Sequence, residues 1–273
     1  MHWFSNVGAE ASGVVLGWLR EMRRRRLREQ AVPEAWVELL ERRFALFRRL
    51  PERDRRELLG HVHVMLDEKR FEGCGGQSIT DEVRVLIAAE AGLLQLRRPA
   101  TYFPTLYSIL VYPDVYVVTV QEPTEGGLVI EETSENVGES WDTGSVVLSW
   151  KDVLRGAADR DDGCNVVIHE FSHQLDAENG ATEGMPRIDD DELRAHWPIV
   201  FEREYERLCG LADRGRRTFI DEYGATHPSE FFAVATEHFF MEPVEFSRRH
   251  SELYRTLAAY YCQDPGSWGR QDG

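Results

Sequence analysis

Most of the chain has the apolar spacing of amphipathic helices. From Pro33 onward, apolar residues recur every three or four positions, and Pro51 opens a second segment with the same spacing. The segment Val83 to Leu96 follows a capping threonine and is almost uniformly apolar, which is typical of a buried helix. The same spacing returns around Trp197 and after Pro228. The pattern therefore predicts a mainly helical domain.

A short stretch in the middle of the chain has the composition of β-strands. Ser108 to Tyr112 and Val115 to Val120 are β-branched and aromatic, and Pro113-Asp114 separates them, so they are predicted to form a strand pair. Gly144 to Trp150 predicts a third strand. The acidic residues 121–143 between them are predicted to form a surface loop. The fold class is therefore α+β, with a small β-sheet preceding the helix described next.

That helix carries the sequence His-Glu-Phe-Ser-His-Gln-Leu-Asp at residues 169–176. Positions i and i+4 of a helix lie on one face, so His169 and His173 can bind one ion, and H-E-x-x-H is a zinc-site pattern. Glu170 is placed beside the ion, where a carboxylate can act as a base towards an activated water. The pattern also occurs by chance on helices without metal, but the apolar residues around it indicate a buried helix.

The sequence also predicts where this helix begins and ends. Asp161-Asp162-Gly163 is predicted to start it and Asn179-Gly180 to stop it. Asp176 lies three residues after His173 on the same face, where it could accept the second ring N–H of a ligating histidine. The alternative is an exposed aspartate near a helix end.

A catalytic zinc takes three protein ligands and keeps a fourth position open, so a third donor must come from elsewhere. Glu230 stands in the first turn of an apolar helix, where a carboxylate also complements the helix dipole. Glu237 lies two turns further along the same face, so spacing leaves these two glutamates nearly tied. The candidates in this stretch are His227, Glu230, Glu237 and His238.

Composition narrows the function classes. The chain has 273 residues and a net charge of -16, and this acidic balance argues against nucleic acid as a partner. Its four cysteines show no C-x-x-C spacing, which fits a reducing compartment, so a cytoplasmic protein is expected. The apolar run Val14 to Leu19 precedes the arginines 23–26, the reverse of a secretory signal, and is too short to span a bilayer. No transmembrane segment is predicted.

The predicted organisation has two parts. Residues 1–30 form an N-terminal basic tail or peripheral helix, for which a solvated helix end and a contact with anionic lipid or an acidic partner are both open. Residues 31–268 form the zinc metallopeptidase domain.

Three stretches together carry a family resemblance: Arg-Phe-Glu-Gly-Cys-Gly-Gly at 70–76, the motif at 169–176, and Tyr223 with residues 228–234. They resemble the zinc-dependent peptidases of the Mlc titration factor A family, and the similarity runs from about Pro33 to Trp268. A Tyr-x6-Glu-Phe-Phe-Ala pattern that begins at Tyr223 is also similar to the catalytic domain of anthrax lethal factor.

The resemblance implies a zincin-like domain whose third zinc ligand is Glu230, with Glu237 structural and Tyr223 donating a hydrogen bond to the oxyanion. It implies a zinc metallopeptidase that hydrolyses peptide or protein substrates. The type member of the family also binds a transcriptional repressor of the sugar phosphotransferase system, which is therefore an expected partner. The alternative is a regulatory protein that sequesters this repressor and has an idle or structural zinc site; a hydrolase of another kind is a third option.

Overall fold

The computed structural model describes residues 6–114, 118–123, 129–134, 144–158 and 163–269. Within these ranges the chain is mainly helical and has a small parallel sheet before the H-E-x-x-H helix, which confirms the α+β prediction at this level. The helices are α1 (Asn6–Arg28), α2 (Glu34–Arg43), α3 (Ala45–Arg49), α4 (Glu52–Glu68), α5 (Asp81–Leu93), α6 (Trp150–Ala157), α7 (Val166–Asp176), α8 (Asp191–Ala212), α9 (Pro228–Met241), α10 (Pro243–Arg249) and α11 (Ser251–Tyr261).

The strands pair differently from the sequence prediction. The strands are β1 (Arg70–Gly73), β2 (Ser108–Tyr112), β3 (Val118–Pro123), β4 (Val129–Ser134) and β5 (Ser145–Ser149). β2 pairs in parallel with both β1 and β5, and β3 pairs with β4 in an antiparallel ribbon. The predicted pairing of 108–112 with 115–120 is therefore wrong for residues 118–120, and residues 115–117 lie outside the described residues. Parallel partners need long crossovers, of which the one from β1 to β2 contains α5 and the one from β2 to β5 contains the ribbon, and local composition does not encode them.

The loop prediction also changes, and a glycine-rich stretch proves to contain a strand. Residues 70–76 begin as β1 and end in a turn, which closes with the N–H of Gln77 donating to the carbonyl of Cys74 at 3.0 Å. The supposed loop 121–143 contains β4 and the end of β3, while residues 124–128 and 135–143 lie outside the described residues. Short strands next to glycines are difficult to distinguish from turns by composition alone.

α7 lies in the middle of the apolar core and contacts both α5 and α9. α5 begins where the sequence predicts, with Thr80 Oγ1 accepting from the N–H of Val83 at 3.3 Å. Its residues Val83 to Leu93 are buried except Arg84, as expected for a helix that is apolar on nearly all sides. The core therefore holds the metal-motif helix from two sides.

The start of α7 is not where the sequence places it. The N-cap is Asn165, whose Oδ1 accepts from the N–H of Ile168 at 2.9 Å, and Gly163 lies two residues earlier. Asp161 and Asp162 lie outside the described residues. The predicted stop is confirmed, because α7 passes into a short 3-10 turn that ends at Gly180 in the left-handed conformation.

Gly184 connects the end of α7 to the start of α9. Its N–H donates to Asp176 Oδ2 at 2.9 Å, and its carbonyl accepts from Trp197 Nε1 at 3.0 Å. Its φ is +74°, and a Cβ at this position would lie 2.4 Å from the carbonyl oxygen of Pro228. Only glycine fits this close approach without moving α9.

A buried polar contact joins α5 to the cap of α7. Asn165 Nδ2 donates to Glu90 Oε2 at 2.6 Å, and Glu90 is fully buried. Burial raises the pKa of the Glu90 carboxyl to about 8, although the hydrogen bond from Asn165 lowers it. Below this pH the folded protein holds Glu90 neutral, whereas the carboxyl ionises near 4.5 in the unfolded chain.

We predict that Glu90→Gln becomes progressively more stable than the wild type as the pH rises from about 4.5 to about 8. A raised folded pKa means that the stability which neutral Glu90 contributes is lost as the pH rises, and Gln cannot ionise while it still offers an oxygen to Asn165. Urea unfolding across this range measures the difference. Exposed Glu38→Gln on α2 is the matched control, and a pH-independent difference for Glu90→Gln would contradict the prediction.

Candidate metal centre

α7 and α9 bring three of the predicted site residues together. His169 and His173 lie one turn apart on α7, and Glu230 is in the first turn of α9. The two Nε2 atoms are 3.2 Å apart, and Glu230 Oε2 lies 3.1 Å from His169 Nε2 and 3.4 Å from His173 Nε2. One ligand atom from each residue therefore points into a common space.

These separations fit a tetrahedral metal ion. Ligand atoms 2.0–2.1 Å from a central zinc are about 3.3–3.4 Å apart at the tetrahedral angle, close to the observed 3.1, 3.2 and 3.4 Å. Among the described residues the cluster has three members, so it leaves a fourth coordination position open. Open fourth positions are a feature of catalytic rather than structural zinc sites.

The charge states of His173 and Glu230 suit metal binding, whereas His169 must lose a proton when a metal binds. Burial lowers the pKa of His173 to about 4, which keeps its ring neutral. Burial opposes the charge on Glu230, but hydrogen bonds from His169 and His173 lower its pKa to about 2. Burial also opposes a charge on His169, and the carboxylates of Glu237 and Glu230 outweigh it and raise the pKa of His169. The donor set is two imidazoles and one carboxylate.

A second carboxylate fixes the orientation of the first histidine. Glu237 Oε2 lies 2.8 Å from His169 Nδ1, and Glu237 Oε1 accepts from the N–H of Asn165 at 2.7 Å. A chain of contacts therefore runs from Glu90 through Asn165 and Glu237 to His169. Glu237 orients a candidate ligand, and its position two turns along the same face of α9 was the sequence signal for it.

Asp176 does not have the role that its spacing suggested. It is the last residue of α7, and its Oδ2 accepts from the N–H of Gly184 at 2.9 Å, so it fastens the following loop. Helical spacing places a residue on a face, but at a helix end the side chain can turn to the loop instead.

Two other candidates for the third ligand are placed elsewhere. His227 is the N-cap of α9, and its Nδ1 accepts from the N–H of Ser229 at 3.3 Å. His238 Nδ1 lies 2.8 Å from Glu242 Oε2, one turn further along the chain. Neither belongs to the cluster of ligand atoms among the described residues.

The predicted base and oxyanion donor lie beside the cluster. Glu170 is buried on α7, and its carboxylate acts electrostatically on both His169 and Tyr223. Tyr223 lies on a short 3-10 helix, Glu222–Ala225, and its ring centroid is 6.1 Å from that of His169. Burial and the carboxylates of Glu230 and Glu170 raise the pKa of Tyr223 to about 12. The phenol therefore remains a hydrogen-bond donor at neutral pH.

A cavity of about 450 Å³ opens next to His169 and Tyr223. Half of the Tyr223 side chain is exposed, so the phenol is accessible from solvent. Of the three cluster residues, His169 lines the cavity, on the side of Glu237 and Tyr223. It is lined by Gly163, Cys164, His169, Thr218, Phe219, Asp221, Tyr223, Val234, Glu237, His238, Glu242 and Arg249.

Comparisons with known proteins identify relatives of this chain. The family model described as glucose-regulated metallo-peptidase M90 matches residues 19–262. A Synechocystis protein named "Uncharacterized protein slr2042" is 38% identical over 249 residues, which is 91% of this chain and 90% of that protein. Mlc titration factor A of Serratia proteamaculans is 32% identical over 219 residues, covering 79% and 82% of the two chains.

Mlc titration factor A of Yersinia pestis is 29% identical over 219 residues, covering 79% of this chain and 80% of its own. The family match includes α7, α9 and every residue of the candidate cluster. The chain belongs to the glucose-regulated metallo-peptidase M90 family.

Proposed function

We propose that the protein is a zinc-dependent peptidase whose metal is held by His169, His173 and Glu230. The observation that carries the proposal is the convergence of three ligand atoms at separations of 3.1 to 3.4 Å, with a fourth position open. Zinc bound there would polarise a peptide carbonyl and lower the pKa of a coordinated water to about 7. Membership in a metallopeptidase family supports the same proposal.

Three surrounding side chains have separate roles in the proposed reaction. Glu170 takes the proton of the attacking water and delivers it to the leaving amine, a role that suits a carboxylate buried beside His169. Tyr223 donates a hydrogen bond to the carbonyl oxygen as negative charge develops on it. Glu237 holds the His169 ring so that its Nε2 faces the ion.

A second candidate function is binding of a transcriptional repressor. Relatives that match 79% of this chain are named Mlc titration factor A, a name that describes titration of Mlc. We propose the repressor as a partner that is bound in addition to peptide hydrolysis. A buried carboxylate at position 170 favours the enzyme, because a structural zinc site needs no base.

The metal assignment predicts about one zinc per chain. His169→Ala or His173→Ala should lower zinc content sharply, since each removes one of three ligands. Elemental analysis of the purified proteins measures this. His196→Ala, at an exposed position of α8, is the matched control and should keep its zinc. Full zinc retention in the double variant His169→Ala/His173→Ala would show that these residues are not the zinc ligands.

The two glutamates of α9 should differ. Glu230→Gln replaces a charged ligand and should abolish both tight zinc binding and hydrolysis. In the wild type, one oxygen of Glu237 faces His169 and the other accepts from Asn165, whereas Glu237→Gln keeps only one acceptor oxygen. Zinc affinity should therefore fall by roughly 10–100-fold, while saturable binding remains. Competition with a zinc-binding dye measures both affinities. A larger loss for Glu237→Gln than for Glu230→Gln would reverse the assignment.

Glu170→Gln should reduce peptide cleavage by roughly 10²–10⁴-fold and leave zinc and fold intact, because it removes the base and little of the packing. Tyr223→Phe should reduce cleavage less, since one oxyanion donor is lost. Release of a chromophore from a short peptide reporter measures the rates, with zinc determined on the same samples. Exposed Tyr107→Phe is the control for the tyrosine change.

The same variant separates the two candidate functions. A Glu170→Gln protein that still binds the repressor but no longer cleaves peptide would assign two separate activities to the chain. Undiminished cleavage by Glu170→Gln would end the proposed mechanism. Absence of cleavage by the wild type across a broad peptide library would favour the binding protein.

A further inference from the structure

The inner side of α1 is fastened to the body of the protein. Arg24 is buried and pairs with both carboxylate oxygens of Glu68 on α4, at 2.7 and 2.8 Å. Its guanidinium lies 4.6 Å from the ring centroid of Tyr102, whose hydroxyl accepts from Arg28 Nη1 at 3.2 Å. The orientation of the second half of α1 is therefore set by polar contacts, and one side of the helix faces outward.

The outward side carries large apolar residues. Trp18 is 61% exposed, Leu19 51% and Met22 36%. The other large apolar side chains exposed among the described residues are Tyr107, Ile199, Tyr223 and Val244, which are separated along the chain, whereas α1 places three within five residues. In the sequence, Val14, Val15 and Leu16 precede them. Such clustering on one element marks an interaction surface.

The same segment is strongly basic in an acidic protein. Residues 17–28 contain six arginines and one glutamate, while the whole chain has a net charge of -16. Arg23 pairs with Asp67, and Arg25 with Glu29. Arg20 and Arg26 form no ion pair within the described ranges of the chain. Arg20 lies one turn before the buried Arg24, whereas Arg25 and Arg26 stand at helical spacing from Trp18 and Met22. Positive charge therefore lies beside the exposed apolar residues at the end of the helix.

We propose that α1 docks on the surface of an anionic lipid bilayer. Exposed tryptophan and leucine next to arginines are the combination that interfacial helices use: the apolar side chains enter the boundary of the acyl chains and the guanidinium groups bind headgroup phosphates. Repulsion between the acidic body and the bilayer is screened beyond about 8–10 Å. The charge of the contacting segment therefore determines whether the protein is attracted to the bilayer.

The docked helix lies along the surface. Within the described residues no helix is long and apolar enough to cross a membrane. A second copy of the chain is a poorer occupant of the same face, because side-by-side pairing of two α1 helices would bring their arginines together. The surface is also separate from the candidate metal centre, since α1 contacts α4, and the centre is built by α7 and α9.

The test is flotation of the full chain with lipid vesicles. Vesicles of phosphatidylcholine with about one third phosphatidylglycerol should carry the protein at low salt, and binding should fall as salt rises. Vesicles of phosphatidylcholine alone should carry much less. Equal binding to both vesicle types, or none to either, would overturn the proposal.

Matched variants locate the contact. Arg25→Gln/Arg26→Gln should weaken partitioning by roughly fivefold for each arginine, and Trp18→Ser/Leu19→Ser should abolish it. The controls remove equally exposed groups elsewhere: Arg216→Gln/Arg217→Gln for charge and Ile199→Ser/Val244→Ser for apolar area. Equal losses in controls and test variants would contradict the assignment to α1.

Two further measurements distinguish bilayer docking from loss of fold and from self-association. Thermal unfolding and zinc content should be unchanged in all four variants, because the substituted side chains are exposed and lie away from the centre. Light scattering should give the same mass for the wild type and Trp18→Ser/Leu19→Ser. A dimer that this double change dissociates, without vesicle binding by the wild type, would assign the face to a second copy instead.

Discussion

The contact between α7 and α9 is the interaction on which the candidate centre depends. The two histidines come from one helix and the carboxylate from the other, so the fit of one helix against the other sets the separation of their ligand atoms. The same interface holds the hydrogen bond between His169 Nδ1 and Glu237 Oε2, which fixes the ring. Close packing of apolar side chains around both helices makes the arrangement rigid before any ligand arrives.

Polar groups are placed at the few points where the interface has to be specific. Asn165 caps α7 with its Oδ1, donates from its backbone to Glu237 and donates from its side chain to Glu90. One residue thus sets the start of the helix and the position of the carboxylate that orients His169. A polar chain of this kind costs free energy to bury, but when every member has a partner it selects one alignment of the helices.

The sequence predicts the local features well. Thr80 as a cap, the helix after Val83 and the histidine pair on α7 follow from spacing and local chemistry, and the structure contains them. Features that depend on contacts between distant segments are harder to predict from the sequence. Glu230 and Glu237 share a face of α9, and only the position of α7 distinguishes a residue beside both Nε2 atoms from one beside Nδ1. The parallel partners of β2 are missed for the same reason.

Gly184 illustrates how a residue without functional groups can govern such a site. It is not near the ligand atoms in sequence, yet a single added carbon would meet the first turn of α9 at 2.4 Å, where Pro228 precedes Glu230 by two residues. A variant at this position would keep every residue of the H-E-x-x-H motif and still have its carboxylate displaced from the histidines. A comparison of motif residues alone would therefore classify such a family member as intact. Its scaffold, however, would no longer hold the carboxylate beside the two histidines.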